Sequence, residues 1–196
     1  PILMAHELLD KGYAEHAKDY YRGAITLDTE WPYPYWELAQ IHTEQKNLGR
    51  ALDILKRADK ESGKIAYTLT QLGHIYRQTT LWREALSLFE QALGLEPKNT
   101  KALLGKAHVL ILLQLFQDAE KVCKQVLLYD PDNARAYHIL HMILGTRNDF
   151  AKAIEFGQRA SLLQPDNALI LFDLGLTYYR ANRFVEAVDV LQNCLY

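Results

Sequence analysis

The sequence predicts an all-α fold: about twelve helices, joined in antiparallel pairs as six helix-turn-helix hairpins that form a single array over residues 1–196. Three observations predict it. Ala17, Ala51, Ala85, Ala119, Ala153 and Ala187 stand 34 residues apart without a slip, and a fixed period in that range marks stacked supersecondary units. Around each alanine, apolar residues recur at three- and four-residue spacing, which places them on one helical face. No sustained two-residue alternation and no Asn-Gly or Asp-Gly hairpin signal competes.

The hairpins fall at approximately 1–31, 32–65, 66–99, 100–133, 134–167 and 168–196. The first carries Met4, Ala5 and Leu8, then Ala17, Tyr21 and Ala24. The second carries Tyr35, Leu38, Ala39 and His42, then Ala51, Leu55 and Ala58. The third carries Leu69, Leu72, Gly73 and Tyr76, then Ala85, Phe89, Ala92 and Pro97. The fourth has Leu103, Ala107 and Leu110, then Ala119, Cys123 and Pro131. In the fifth stand Tyr137, Leu140 and Leu144, then Ala153, Ala160 and Pro165. In the sixth stand Leu171, Leu174, Gly175 and Tyr178, then Ala187 and Leu191. Paired helices cross closely only where side chains are small, which assigns Ala39 to Ala51 and Ala58, and Gly73 to Ala85 and Ala92. Leu72, Tyr76 and Phe89 fill the remaining gap. Breakers inside hairpins are expected at Asn47-Leu48-Gly49, Thr79-Thr80 and Arg147-Asn148-Asp149. Between hairpins stand Glu96-Pro97-Lys98-Asn99, Asp130-Pro131-Asp132-Asn133 and Gln164-Pro165-Asp166-Asn167. There proline stops one helix and Asn or Asp caps the next.

With Leu69-x2-Leu72-Gly73-x2-Tyr76, Ala85-x3-Phe89, Ala92 and Pro97 in register, the chain resembles the tetratricopeptide repeat family, whose signature reads W-x2-L-G-x2-Y, A-x3-F, P. The likeness runs over the whole length. It implies a right-handed superhelical solenoid whose first helices line a concave groove that commonly receives a peptide. On that map the second repeat offers Tyr33, Trp36, Glu37, Gln40 and Glu44, and the third Tyr67, Thr70, Gln71, His74 and Arg77. The fourth offers Lys101, Leu104, His108, Ile111 and Leu112. The fifth offers Arg135, His138, Ile139 and Met142, and the sixth Phe172, Asp173, Leu176 and Arg180. The Lys, Arg and Asn set of chaperone-binding members is absent. So is the asparagine ladder of the sugar-transferase arrays, whose column here reads Glu37, Gln71, Gly105, Ile139, Asp173. What remains is polar and aromatic at the N-terminal end and apolar from Leu104 to Leu176. It suits an amphipathic helix or an extended apolar segment of another protein.

The expected function is therefore a non-enzymatic protein-protein interaction scaffold. The alternative is the regulatory or substrate-recruiting arm of a larger enzyme or assembly complex. The net charge of −2 carries no basic surplus for nucleic acid. Lys and Arg against Asp and Glu number 8 to 11 over residues 1–62, 8 to 5 over 63–129, and 6 to 8 over 130–196, too mild a pattern to identify a partner. The longest apolar stretch, Val109 to Leu113, is far short of a membrane span. No secretory signal opens the chain. Two cysteines, Cys123 and Cys194, make no disulfide framework, and a cytoplasmic setting is expected. No nucleotide loop, nucleophile elbow or H-E-x-x-H helix is present, so no cofactor is expected. His6, His74 and His108 share one column, but a ladder spaced by a whole repeat is too open for a metal, and His138 with His141 is only a pair.

Three departures from the pattern stand out. His141 occupies a small-residue position and Gly157 a large-residue one, so the imidazole is expected to fill the volume Gly157 vacates. The last hairpin would leave Val190, Leu191 and Leu195 partly exposed, which is read either as continuation of the array or as an end that packs against another chain, self-association included. Trp31-Pro32-Tyr33-Pro34-Tyr35-Trp36 puts four aromatics in six residues, read either as a plug between the first two repeats or as a platform for an apolar or proline-rich ligand.

Overall fold

The computed structural model describes residues 2–193. Among them are twelve helices and no strand: α1 (Ile2–Asp10), α2 (Ala14–Leu27), α3 (Tyr33–Glu44), α4 (Leu48–Glu61), α5 (Ala66–Gln78), α6 (Trp82–Leu95), α7 (Thr100–Leu112), α8 (Phe116–Tyr129), α9 (Ala134–Thr146), α10 (Phe150–Leu163), α11 (Ala168–Arg180) and α12 (Phe184–Asn193). This is an all-α helical repeat fold, with hairpins where the 34-residue period places them. The chain divides into two compact units, residues 1–102 and 103–196. Leu195 and Cys194 lie outside the described residues.

The alanine column is the seam of every hairpin. Ala17, Ala51, Ala85, Ala119 and Ala153 are fully buried and Ala187 nearly so. In the first unit, Ala5, Ala17, Tyr21, Ile25, Tyr35 and Leu38 form one cluster, and Ala39, Ala51, Leu55, Leu72 and Ile75 the next. A Cβ placed on Gly73 would stand 2.8 Å from Cε1 of the buried Phe89 ring. Glycine there admits a large aromatic into the helix crossing, where its burial contributes about 1.5–3 kcal/mol. In the second unit, Ile154, Leu174, Tyr178 and Ala187 pack together, and α9 is buried over most of its length.

The turns repeat as faithfully as the helices. Each hairpin closes on one residue with positive φ: Gly12, Lys46, Thr80, Gln114, Asn148 and Asn182, again 34 apart. The following amide reaches back across the turn, as in Asn47 N–H to His42 O at 2.8 Å and Leu115 N–H to Leu110 O at 2.8 Å. These bonds satisfy the last carbonyls of the first helix. Gly49, expected as a turn breaker, lies in the first turn of α4, and Lys46 takes the left-handed position instead. The caps between hairpins form as expected. Asn99, Asn133 and Asn167 accept from Ala102, Ala136 and Ile170 N–H at 3.0, 2.9 and 3.4 Å.

The expected exchange between His141 and Gly157 is present. A Cβ on Gly157 would meet His141 Nδ1 at 2.7 Å and Leu174 Cδ1 at 2.8 Å. The imidazole is 2% exposed and held in place, since Nδ1–H donates to the Ala153 carbonyl at 2.8 Å. Nε2 lies 3.3 Å from the Thr177 hydroxyl, which donates its proton to the Asp173 carbonyl at 3.0 Å. Burial pushes the His141 pKa below its ordinary value, against the pull of the Ala153 carbonyl.

Thr80→Gly relieves a β-branched residue of left-handed geometry and should stabilise the chain by about 1 kcal/mol, read as a raised urea midpoint at unchanged slope. Gly157→Ala should destabilise by about 1–2 kcal/mol despite alanine's better helix propensity. The part of that cost due to the imidazole should vanish in a His141→Ala background while the Leu174 contact stays, which a double-mutant cycle reads directly. A folded-state pKa held below the unfolded one gives stability that is complete above about pH 6.5 and is lost as acid charges the unfolded ring first. The thermal midpoint should therefore fall between about pH 7 and about pH 5.5, and fall less in His141→Gln.

Candidate functional site

The first-helix face of residues 1–102 carries a continuous aromatic row. The His6 ring of α1 stacks on Tyr33 at 6.0 Å, with the Tyr33 hydroxyl 2.9 Å from His6 Nε2. Trp31 stacks on Tyr33 from outside the helix at 6.1 Å, Tyr33 meets Trp36 edge-on at 6.4 Å, and Trp36 lies 4.3 Å from Tyr67 of α5. Trp36 Nε1–H donates to Thr68 Oγ1 at 2.8 Å, which fixes the indole across two repeats. Burial, and after it the Glu37 carboxylate, raises the pKa of the Tyr33 and Tyr67 hydroxyls. Pro34 and Tyr35 are buried while Trp31 is exposed. The Trp31–Trp36 segment is thus a plug at Tyr35 and a surface at Trp31, with Tyr33 and Trp36 half-buried between them.

Beside this row, α3 and α5 enclose a cavity of about 260 Å³. Its floor is Ala39, Leu55 and Ile75, one wall is Trp36 and Tyr67, and the rim carries Gln40, Gln71, His74, Gln78 and Lys101. His74 also packs edge-on against Phe89 at 5.1 Å. Among the described residues Gln71 makes no side-chain hydrogen bond. Arg77, one residue before Gln78, is half-buried; its Nε is buried without a partner, and burial lowers its pKa. No carboxylate of the described residues answers it. Thr43 and Gln78 also line the cavity and were not on the sequence-derived map. The period held the signal, since each stands 34 residues from a mapped position, Arg77 and Glu44.

In residues 103–196 the mapped positions divide differently. Leu104 is only 7% exposed and Ile139 fully buried, so the apolar stretch expected from Leu104 onward is largely core at those two points. His138, also 7% exposed, is tied through Nε2–H to Asp173 Oδ2 at 2.7 Å, joining α9 to α11. His108, Ile111 and Met142 are half-buried and Arg135 is exposed. Arg180 donates to Asn148 Oδ1 at 3.1 Å and lies over the Phe150 ring. Phe172 and Leu176 are exposed, with Leu169 and Tyr179 continuing their stripe along α11. Val190 and Leu191 are half-buried, and Leu191 fills the space at Gly175, where an added Cβ would stand 2.6 Å from its Cγ. Among the described residues no group of three His, Cys, Asp or Glu converges as metal ligands, and no helix is long and apolar enough to cross a membrane.

Family models for the tetratricopeptide repeat match residues 2–30, 81–142 and 142–193. No curated protein matches the chain. Among solved structures, the chain is similar to residues 41 to the end of MamA from Desulfovibrio magneticus RS-1, at 23% identity and a TM-score of 0.69, over 84% of this chain and 93% of that one. It is similar to YrrB, described as a TPR protein with an unusual peptide-binding site, at 20% identity and a TM-score of 0.63, over 89% and 90%. A tetratricopeptide repeat protein from Parabacteroides merdae ATCC 43184 matches 99% of this chain and 77% of its own, at 18% identity and a TM-score of 0.81. At these identities the structural likeness carries the fold alone. With the 34-residue alanine column, the Gly73–Phe89 crossing and the repeat models in agreement, the chain belongs to the tetratricopeptide repeat family.

Proposed function

We propose that the chain is a non-enzymatic scaffold whose first-helix face takes up a peptide segment of a partner protein, with its six hairpins used as one array. The observation that carries this is the mismatch at the α3–α5 cavity. An aromatic wall adjoins polar groups that the chain does not satisfy itself: the Gln71 side chain on the rim and, beside the cavity on the same helix, the Arg77 Nε. A buried, unpaired polar atom costs about 1–3 kcal/mol, and a ligand that satisfies it recovers that cost on binding. The partner segment is accordingly acidic near Arg77 and Lys101 and carries an aromatic or aliphatic side chain for Trp36 and Tyr67. The peptide-binding description of YrrB supports the same use of the fold. A reducing, cytoplasmic setting suits Cys123, a buried free thiol whose pKa burial pushes up to about 12.

A peptide array probed with the whole chain tests this. Bound sequences should combine acidic and aromatic residues. Both Arg77→Ala and Trp36→Ala should weaken them by roughly tenfold or more. Arrays that bind the variants as well as the parent chain would overturn the assignment of this face.

A further inference from the structure

A second cavity, about 510 Å³, opens where α2 and α4 flank α3. It shares no lining residue with the α3–α5 cavity, and its volume is that of a small-molecule site. Three exposed arginines contribute to its lining: Arg22 from α2, and Arg50 and Arg57 from α4. Arg50 and Arg57 are seven residues apart, which puts them on one helical face about 10 Å apart along the axis.

Of the three, Arg22 alone forms an ion pair among the described residues. Arg22 reaches Asp19 at 2.9 Å on the exposed surface. Arg57 lies over the Tyr35 ring at 5.6 Å. Among the described residues Arg50 has no ion pair or side-chain hydrogen bond. Asp53 is the one carboxylate in the lining, and it forms no ion pair with either neighbour. His42 also lines the cavity. It is 2% exposed, and its Nδ1 is buried with no hydrogen-bond partner. Burial, then the charges of Lys18, Arg50 and Arg22, pushes its pKa down, which fits a region of positive potential. Beneath the cations the lining is apolar: Ile25, Leu38 and Ile54.

We propose that this cavity binds a phosphate monoester, the dianionic head held by Arg22, Arg50 and Arg57 and the apolar body resting on Ile25, Leu38 and Ile54. Guanidinium forks match phosphate oxygens in geometry. Three of them suit a group carrying close to two negative charges better than a single carboxylate. His42 lies in the same lining, with its Nδ1 buried behind it. The assignment is independent of the peptide reading, because the two surfaces have no residue in common.

Calorimetry on the whole chain, with inorganic phosphate and phenyl phosphate as probes, tests it. Phenyl phosphate should bind saturably and roughly tenfold more tightly than phosphate, because only the ester covers the apolar floor. Arg50→Ala, which breaks no ion pair, should weaken phenyl phosphate roughly tenfold or more. Asp53→Asn should tighten it about threefold by removing the opposing charge. Arg83→Ala, the same loss of charge elsewhere on the unit, should leave it unchanged, with unaltered thermal melting confirming that each variant folds. No saturable heat up to about 10 mM ligand would overturn the proposal. Equal effects of Arg50→Ala and Arg83→Ala would overturn it as well, since bulk charge would then suffice.

Discussion

Every hairpin rests on the close approach of two helix axes at one small side chain. Interiors pack at crystal-like density, so the residue at the crossing sets how near the helices come and what else fits beside them. Ala17 through Ala187 meet that constraint six times. Where the constraint shifts, its partner shifts with it. Gly73 yields the space that Phe89 occupies, and Gly157 yields the space that His141 occupies. The second case exchanges the roles of the two helices: the large side chain comes from the first helix and the small one from the second. Volume at the crossing is kept, which is why a histidine in an apolar seam does not disrupt the hairpin. Its Nδ1–H is met by the Ala153 carbonyl, and its Nε2 lies beside the Thr177 hydroxyl.

The turns follow the same logic at the level of the backbone. A hairpin this tight needs one left-handed residue, and glycine provides it without strain only at Gly12. Lys46, Thr80 and Gln114 adopt it because the back-bonded turn and the seam on either side over-determine it. This explains why the turns were only partly legible in the sequence. A breaker search looks for Gly, Asn or Pro, and it finds Asn148 but passes over Lys46 and Gln114. It also overreads Gly49, whose helix is dictated by Ala51 and Leu55 behind it. The period was the better guide than the residue type, because geometry repeats every 34 positions whether or not the favoured residue is present.

The same distinction separates what the sequence said of the binding surface from what it left out. Column counting identifies the first-helix face, and Trp36, Tyr67, Gln71 and Lys101 all reach it. Counting cannot tell that Leu104 and Ile139 turn inward, since exposure depends on what the neighbouring helix brings to that point. Nor can it separate a paired charge from an unpaired one. His138 and Asp173 lie 35 residues apart and satisfy each other, whereas Arg77 has no ion-pair partner among the described residues. The α2–α4 cavity was invisible for a related reason. Its cations come from two second helices, and no single stretch of sequence looks basic.

Where charge in this chain is paired, the partner is mostly close by in sequence. Most of its ion pairs are local and exposed, such as Arg22 with Asp19, Lys121 with Asp118 and Arg183 with Glu186. Each contributes at most about 1 kcal/mol and is screened by salt. They keep the surface soluble and say nothing about function. A net charge of −2 averages over them and hides the exceptions. Arg50 and Arg77 are two of the cations outside these pairs, one beside an orphaned histidine nitrogen and one with its own Nε buried and unmet. α3 stands between the two cavities, sending Tyr35, Leu38 and His42 to one side and Trp36, Gln40 and Thr43 to the other. The 3.6-residue helical period thus gives one short helix two unlike faces. The alanine seam fixes the fold and leaves both faces free to carry chemistry that the repeat signature does not encode.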